Sequence, residues 1–282
     1  MYNRDFLNVR FKGTVMEYEL SLTGRVPVIF DLISKFPKTK KLNVAFLGYT
    51  DLFQSKAEWQ QLIGSEVNSL KNRPNHKRLC QIHGVPEDYI IPKISDVLEI
   101  LYGSRVKADV FDFQTYEGSE IVHDFNFPIA NNFYEAYDLI FDFGSSEHIF
   151  NFPQAIINLA KMCKKNGIVF HSHPLNMINH GFYNISPTLY HDFYSENCFE
   201  VVFMRLAGKV RLESNLDKNV SLDITSVPSN ARFNLKQIGD SVNLSSLPTS
   251  ELVVQTIATK NKSVDEFHFP IQGRYADKGN WI

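Results

Sequence analysis

The spacing of hydrophobic positions changes period several times along the 282-residue chain, and each change predicts an element. "VPVIFDLISKF" at 26–36 spaces its apolar residues for a short helix, stopped by Pro37 and the lysines after it. "LNVAFLGYTDLF" opens with a continuous apolar run that closes at Gly48, the pattern of a strand covered on both faces. From about 54 to 103 the period turns helical in "KAEWQQLIGSEVNSL" and "ISDVLEILYG", with a polar stretch containing Pro74 and Pro86 between them. Strand-like runs then alternate with helices: "KADVFDF", "EIVHDFN", "YDLIFDFG", the helix "NFPQAIINLAKMCKK", "GIVFHSHP", the helix "SPTLYHDFYSENC" and "FEVVFMRLAG". Residues 1–26 alternate weakly and suggest a hairpin or flap, 213–250 are polar without a clear period, and "ELVVQTIATK" at 251–260 is the last strand. Strands alternating with helices predict an α/β fold with a mostly parallel sheet and helices on both faces. No internal repeat or Pro/Gly-rich linker divides the chain, so a single domain over 1–282 is expected.

In such a sheet, ligands bind at the carboxyl ends of the strands. The polar residues that follow the apolar runs are therefore the candidates: Gly48 to Asp51, Asp112, Asp124, Asp142 to His148, and His171 to His173. Composition narrows the partners. A formal charge of −2 argues against nucleic acid, and the basic clusters "KTKK" and "KNRPNHKR" are short enough to be solvated surface. Cys80, Cys163 and Cys198 are distant and odd in number, which points to a reducing compartment rather than a disulfide framework. No apolar run approaches the roughly 20 residues needed to span a bilayer. A cytoplasmic protein with no membrane partner is expected, and its oligomeric state is left open.

Two segments carry chemistry. In "FDFGSSEHIFN", Glu147 and His148 open a helix, where an acid favours the helix dipole and a histidine can serve as a general base. In "HSHPLNMINHGFYNISPTLYHDF", His171, His173, His180 and His191 fall within 21 residues, beside Tyr183 and Tyr190. His-x-His on a strand can chelate a metal, so a metal-dependent hydrolase is a weaker alternative, although no metal ligand is assigned. "DFG" at 142–144 lacks the accompanying kinase motifs, and neither G-x-G-x-x-G nor G-x-S-x-G is present.

The order of these segments resembles class I S-adenosylmethionine-dependent methyltransferases, across about residues 42–205. The resemblance rests on "VAFLGYTD", the acids ending "ADVFDF" and "EIVHDFN", and above all "YDLIFDFGSSEHIFNFPQAIINLAKMCKKNGIVF". It implies a doubly wound, mostly parallel seven-stranded sheet of Rossmann-like methyltransferase type. A helical insert at 54–103, an N-terminal extension at 1–40 and C-terminal strands and a tail at 206–282 would be added to it. It implies S-adenosylmethionine as cofactor and S-adenosylhomocysteine as product. Gly48 and Gly144 would pass close to the cofactor, Asp112 would hold its ribose, and Asp124 with Phe125 its adenine. Asp51 would meet its ammonium group, and Asp142 ends the fourth strand beside it. The first loop has one glycine followed by Tyr49, where family members usually carry several.

"NHGFYNISPTLYHDFY" further resembles methyltransferase-like proteins encoded with bacterial surface-glycan genes. That implies an acceptor-facing role for His180, Tyr183, Ser186 and Tyr190, while the methyltransferase resemblance sets the fourth-strand loop with Glu147 beside the acceptor; His148 or His180 would be the base. The expected reaction is methyl transfer to an oxygen or nitrogen of a small-molecule or sugar acceptor. The rival from another class is a non-catalytic binding protein that kept the fold and lost the cofactor.

Overall fold

In the computed structural model, residues 8–9, 25–115, 118–211, 217–225, 251–264 and 266–272 are described. The chain runs β1 (Asn8–Val9), α1 (Arg25–Ser34), β2 (Leu42–Leu47), α2 (Lys56–Ile63), α3 (His76–His83), α4 (Ile94–Tyr102), β3 (Val106–Asp112), β4 (Ile121–Val122) and β5 (Tyr137–Asp142). It continues through α5 (Phe152–Met162), β6 (Cys163–Pro174), α6 (Pro187–Glu196), β7 (Phe199–Arg211), β8 (Asp217–Asp223) and β9 (Leu252–Lys260). All nine strands join one sheet in the order β1-β8-β7-β9-β6-β5-β2-β3-β4. Two of them, β1 and β4, have only two residues, leaving seven longer strands. From β4 to β6 every neighbouring pair is parallel, while β9 lies antiparallel between β6 and β7.

Strand burial explains why the sheet formed here. Every residue of "YDLIFD" in β5 is buried, as a central strand covered on both faces requires. Side chains alternate between two cores. Val44, Phe46, Leu139, Phe141 and Phe170 enter the core formed with α1, α2 and α4, where Phe46 and Phe141 stack at 5.0 Å. Ala45, Leu47, Ile140 and Val169 enter the opposite core with α5 and α6. Helices therefore pack on both faces. Val26, Val28, Ile29, Leu32 and Ile33 place α1 within the first core.

Helix ends follow local chemistry. The Ser55 hydroxyl accepts the Glu58 N–H at 3.3 Å, and the Glu58 carboxylate accepts the Ser55 N–H at 2.8 Å, a capping box for α2. Pro153 and Pro187 sit in the first turns of α5 and α6, where a missing N–H costs nothing.

Several elements differ from the sequence expectation. The polar stretch around Pro74 and Pro86 contains α3, whose narrow apolar face, Leu79 and Cys80, meets Ile91 in a small separate core. The strand expected over "EIVHDFN" shortens to Ile121–Val122, because the Asp124 carboxylate accepts the Asn126 N–H at 2.9 Å and turns the chain. The α5 helix stops at Met162, since β6 already pairs with β5 at Cys163. Within 213–250, β8 forms as an antiparallel partner of β7. Most of the expected N-terminal hairpin, and residues 226–250, lie outside the described residues.

Asp138 ties the amino ends of two central strands. It accepts the Asn43 N–H at 3.0 Å and ion-pairs with Lys164 at 2.8 Å and Lys40 at 2.9 Å. Burial alone would raise its pKa, but hydrogen bonds from the two lysines outweigh that and hold the carboxyl below its ordinary value. A depressed carboxyl stabilises the fold above its unfolded pKa, about 4, and that contribution is lost as pH falls through the folded value. Since both lysines are partly exposed, Asp138→Ala should cost about 2 kcal/mol at pH 7, less than a fully buried pair. Urea unfolding should show the difference shrinking below about pH 4. Equal midpoints at pH 7 would refute the role.

Candidate functional site

At the carboxyl end of β5 the Asp142 carboxylate is fully buried, accepts four hydrogen bonds and forms an ion pair with His173, whose Nε2 also meets the Ser146 hydroxyl at 2.8 Å. Its Oδ1 takes the Ser145 and Ser146 N–H groups at 3.1 and 3.3 Å. Its Oδ2 takes the Ser146 hydroxyl at 2.5 Å, His173 Nε2 at 2.9 Å and His171 Nδ1 at 3.2 Å. Burial would raise this acid, yet the His173 charge and the imidazole hydrogen bonds hold it well below its usual range. The two histidines then divide. Burial dominates at His171 and keeps it neutral, so its Nδ1–H donates to Asp142 while Nε2 accepts the Tyr194 hydroxyl at 2.5 Å. At His173, burial opposes the charge but Asp142 and Glu147 outweigh it, and the pKa rises. Its Nδ1 meets the Tyr190 hydroxyl, and both tyrosines keep their protons because burial raises them well above the ordinary value.

This knot fixes the loop after β5, whose two sides line two cavities. The first, about 420 Å³, opens at the ends of β2, β3, β4 and β5. Gly48, Tyr49, Asp112, Asp124, Phe125, Gly144, Ser145 and His148 are in its wall, with Phe113, His123 and Asn126. Burial raises the Asp112 pKa, with the Gln114 and Phe113 N–H groups partly offsetting it. Phe125 packs edge-on against Phe111 at 5.9 Å. Gly48 has φ +68°, and a Cβ there would lie 2.1 Å from the Ser145 hydroxyl, which donates to the Leu47 carbonyl at 2.6 Å. The glycine thus lets the loop after β5 close onto β2, besides bordering the cavity.

The second cavity, about 450 Å³, shares Tyr49, Gly144, Ser145 and His148 with the first. Arg25, Asp51, Glu147, His180, Ser172 and Gln255 complete much of its wall. The Glu147 side chain is fully buried, and burial pushes its carboxyl up to about 7, with His173 partly offsetting and Asp142 adding to the rise. His148 Nε2 and His180 Nε2 stand 3.7 and 3.4 Å from its Oε1. Burial, then the His180 charge, lowers the His148 pKa. His180 is brought in by backbone: Phe182 N–H donates to the Glu147 carbonyl at 3.0 Å, and a Cβ on Gly181 would lie 2.9 Å from that oxygen.

The structure therefore brings Gly48, Asp112, Asp124, Phe125, Gly144 and His148 around one cavity, and Asp51, Glu147, His148 and His180 around the other. It departs from the expectation elsewhere. Asp142 lies in neither wall, its oxygens being saturated by protein donors. Tyr190 is fully buried, stacked 4.8 Å from His171 and bonded to His173, so it buttresses rather than faces an acceptor. Tyr183 donates its hydroxyl to the Phe150 carbonyl at 2.7 Å, and exposed Ser186 stands at the N-cap position of α6 without a side-chain cap bond; neither is in the wall of these two cavities. Asp51 is held by Arg73 at 3.0 Å, so its charge is already compensated. The four histidines of 171–191 do not converge, because His171 and His173 belong to the buried knot while His191 lies 3.7 Å from Asp192. Arg25, Arg73 and Tyr194 went unrecognised in the sequence, since each gains its place from a contact far along the chain.

No protein-family model matches the chain, and no curated protein matches it. Solved structures that it is similar to include a SAM dependent methyltransferase from Archaeoglobus fulgidus, 9% identical, covering 83% of this chain and 93% of that one at a TM-score of 0.42. Another is a Haemonchus contortus phosphoethanolamine N-methyltransferase 2 in complex with S-adenosyl-L-methionine, 9% identical, with 83% and 52% covered and a TM-score of 0.41. A third, a citrinin polyketide synthase CMeT domain, is 12% identical, with 54% and 34% covered and a TM-score of 0.30. The chain thus spans about half the length of the second and a third of the length of the third. Among the described residues no helix is long and apolar enough to cross a membrane.

If Asp142 is the knot of the site, removing its carboxylate leaves a buried imidazolium and two N–H groups without their acceptor. Asp142→Ala should cost about 3–5 kcal/mol, the cost of stripping one partner from a buried pair. Urea unfolding would measure it, and a loss under about 1 kcal/mol would show that the network is dispensable.

Proposed function

We propose that the protein is an S-adenosylmethionine-dependent methyltransferase acting on an oxygen or nitrogen of a small-molecule or sugar acceptor. One observation carries the reading: acids following two neighbouring parallel strands, Asp112 and Asp124, meet the backbone of Gly48 and Gly144 around a single cavity at the carboxyl end of the sheet. Its volume of about 420 Å³ lies within the range of small-ligand sites. The donor set fits the cofactor. Asp112 is half-buried and would accept the ribose hydroxyls, while Asp124 and the Phe125 face would take the adenine. Gly48 and Gly144 present backbone without side chains toward the methionine portion.

When bound, the cofactor supplies an electrophilic methyl group on a sulfonium. The residues of this chain do the rest. The second cavity, joined to the first through Tyr49, Gly144, Ser145 and His148, would hold the acceptor. His148 or His180 would receive the proton released by the acceptor, both imidazoles standing near the buried Glu147 carboxyl. Holding the acceptor atom in line with the sulfonium methyl, at the border the two cavities share, would supply most of what such a transfer needs. Under this reading residues 1–282 act as one domain, 1–40 being the N-terminal extension and 206–282 the C-terminal strands and tail. The resemblance to proteins encoded with bacterial surface-glycan genes makes sugars the first acceptors to screen.

A second reading, a non-catalytic binding protein, is favoured by the first loop. Arg73 lies 3.8 Å over the Tyr49 ring and pairs with Asp51, so the insert takes up contacts the cofactor's ammonium would otherwise use. Calorimetric titration with S-adenosylhomocysteine separates the two. The methyltransferase reading expects micromolar affinity, weakened at least about tenfold in Asp112→Ala, or about 1.4 kcal/mol. No binding at millimolar ligand would overturn it and favour the second reading.

A further inference from the structure

We propose that Glu147, His148 and His180 form a binding site for a first-row divalent cation, of the Mn²⁺, Co²⁺ or Zn²⁺ class, in the wall of the second cavity. The three donor atoms lie within 4.8 Å of one another. Two imidazole nitrogens converge on one carboxylate oxygen, at 3.4 Å from His180 and 3.7 Å from His148. Those spacings are too long for N–H···O hydrogen bonds, which close at about 2.7–3.2 Å. They match the roughly 3.4 Å between two ligands of a tetrahedral ion with bonds of about 2.1 Å.

The carboxylate is what marks the site. Glu147 is fully buried, yet among the described residues neither of its oxygens has a hydrogen-bond partner. A buried carboxylate without a donor is costly, and a coordinated cation removes that cost. The second cavity opens beside it, and two glycines let backbone close on the trio. A Cβ on Gly144 would meet Glu147 Oε1 at 3.0 Å, and one on Gly181 would meet the Glu147 Cγ at 3.0 Å and His148 Nδ1 at 3.2 Å. His173 Nε2 stands 3.5 Å from the other oxygen, Oε2, and supports the carboxylate from behind. The neighbouring trio Asp142, His171 and His173 makes the contrast: it is wholly buried, and its donors and acceptors are already joined at 2.5–3.2 Å. Only the Glu147 trio has unmade bonds and an opening to a cavity.

Two imidazoles and one carboxylate suit borderline first-row ions, and three protein ligands leave a position open, as catalytic metal sites do. An acceptor hydroxyl in the second cavity would take that position and be polarised there; with both imidazole lone pairs on the cation, its proton would pass to solvent and not to His148 or His180. This role rests on the methyl-transfer reading; the cation site itself does not.

The test uses the full chain stripped with a chelator, titrated with CoCl₂ by visible absorption and with ZnCl₂ by calorimetry. Saturation at one equivalent is expected, with affinity reduced at least about tenfold in His180→Ala and in Glu147→Gln. His180 is nearly half exposed, so its variant keeps the test valid should the Glu147 variant fail to fold. Absence of saturable binding overturns the proposal, and so does binding unchanged in His180→Ala. Titrating the stripped wild-type protein with S-adenosylhomocysteine in parallel reports on the methyltransferase reading separately. Cobalt binding without cofactor binding would leave the cation site standing and remove its assigned role.

Discussion

The Asp142 carboxylate is the constraint on which the carboxyl end of this sheet depends. A buried carboxylate must be met by donors or it will not stay charged. Here two backbone N–H groups, one hydroxyl and two imidazoles meet it, drawn from the loop after β5 and from β6. The N–H groups wind the loop after β5, the imidazoles register β6 beside β5, and their far nitrogens reach Tyr194 and Tyr190 on α6. Ser145 carries the same order across to β2 by donating to the Leu47 carbonyl. Loop, strand and helix are thus positioned by one charge, with no ligand required.

That rigid loop is also the partition between the cavities. One side presents the acids Asp112 and Asp124 beside Phe125; the other presents Glu147, His148 and His180. Tyr49 stands in the shared wall under the buried Arg73 guanidinium, so the helical insert reaches the partition as well. The helical segment 54–103 is bound to the sheet by apolar packing, through Trp59, Val97 and Leu98, and is held together internally by the Trp59 Nε1–H donating to the Ile90 carbonyl at 3.0 Å. Its influence on the site is therefore exerted through a fixed contact.

The sequence carried the fold in its periods. "LNVAFL" and "YDLIFD" are continuous apolar runs because both faces of those strands are covered, and α4 and α5 show their faces at helical spacing. What stayed hidden was local or long-range. The α3 helix buries too little to display a period, and β4 was cut short by an Asp124 side chain that competes with the strand. At the site, strand-end position identified Gly48, Asp112, Asp124 and Gly144 as neighbours, since a parallel sheet aligns those ends. Position could not tell a carboxylate facing a cavity from one facing inward. Asp142 and Asp112 both end apolar runs, yet the first meets histidines 29 and 31 residues onward, a pairing that no spacing rule announces.

Asp142 and Glu147 are five residues apart and share His173 between them, but the protein treats them oppositely. Every oxygen lone pair that matters on Asp142 is met, which keeps it ionised despite burial. Glu147 receives only distant imidazoles and is pushed up to about 7. Environment drives these two neighbouring acids apart: donors hold the first ionised, and burial without donors raises the second. The asymmetry is built into the backbone, because the same turn that aims the Ser145 and Ser146 N–H groups at Asp142 places Glu147 beyond their reach. Gly181 then seats the His180 loop directly on the poised acid. The two sides of the loop thus differ in which carboxylate the fold satisfies and which it leaves unmet.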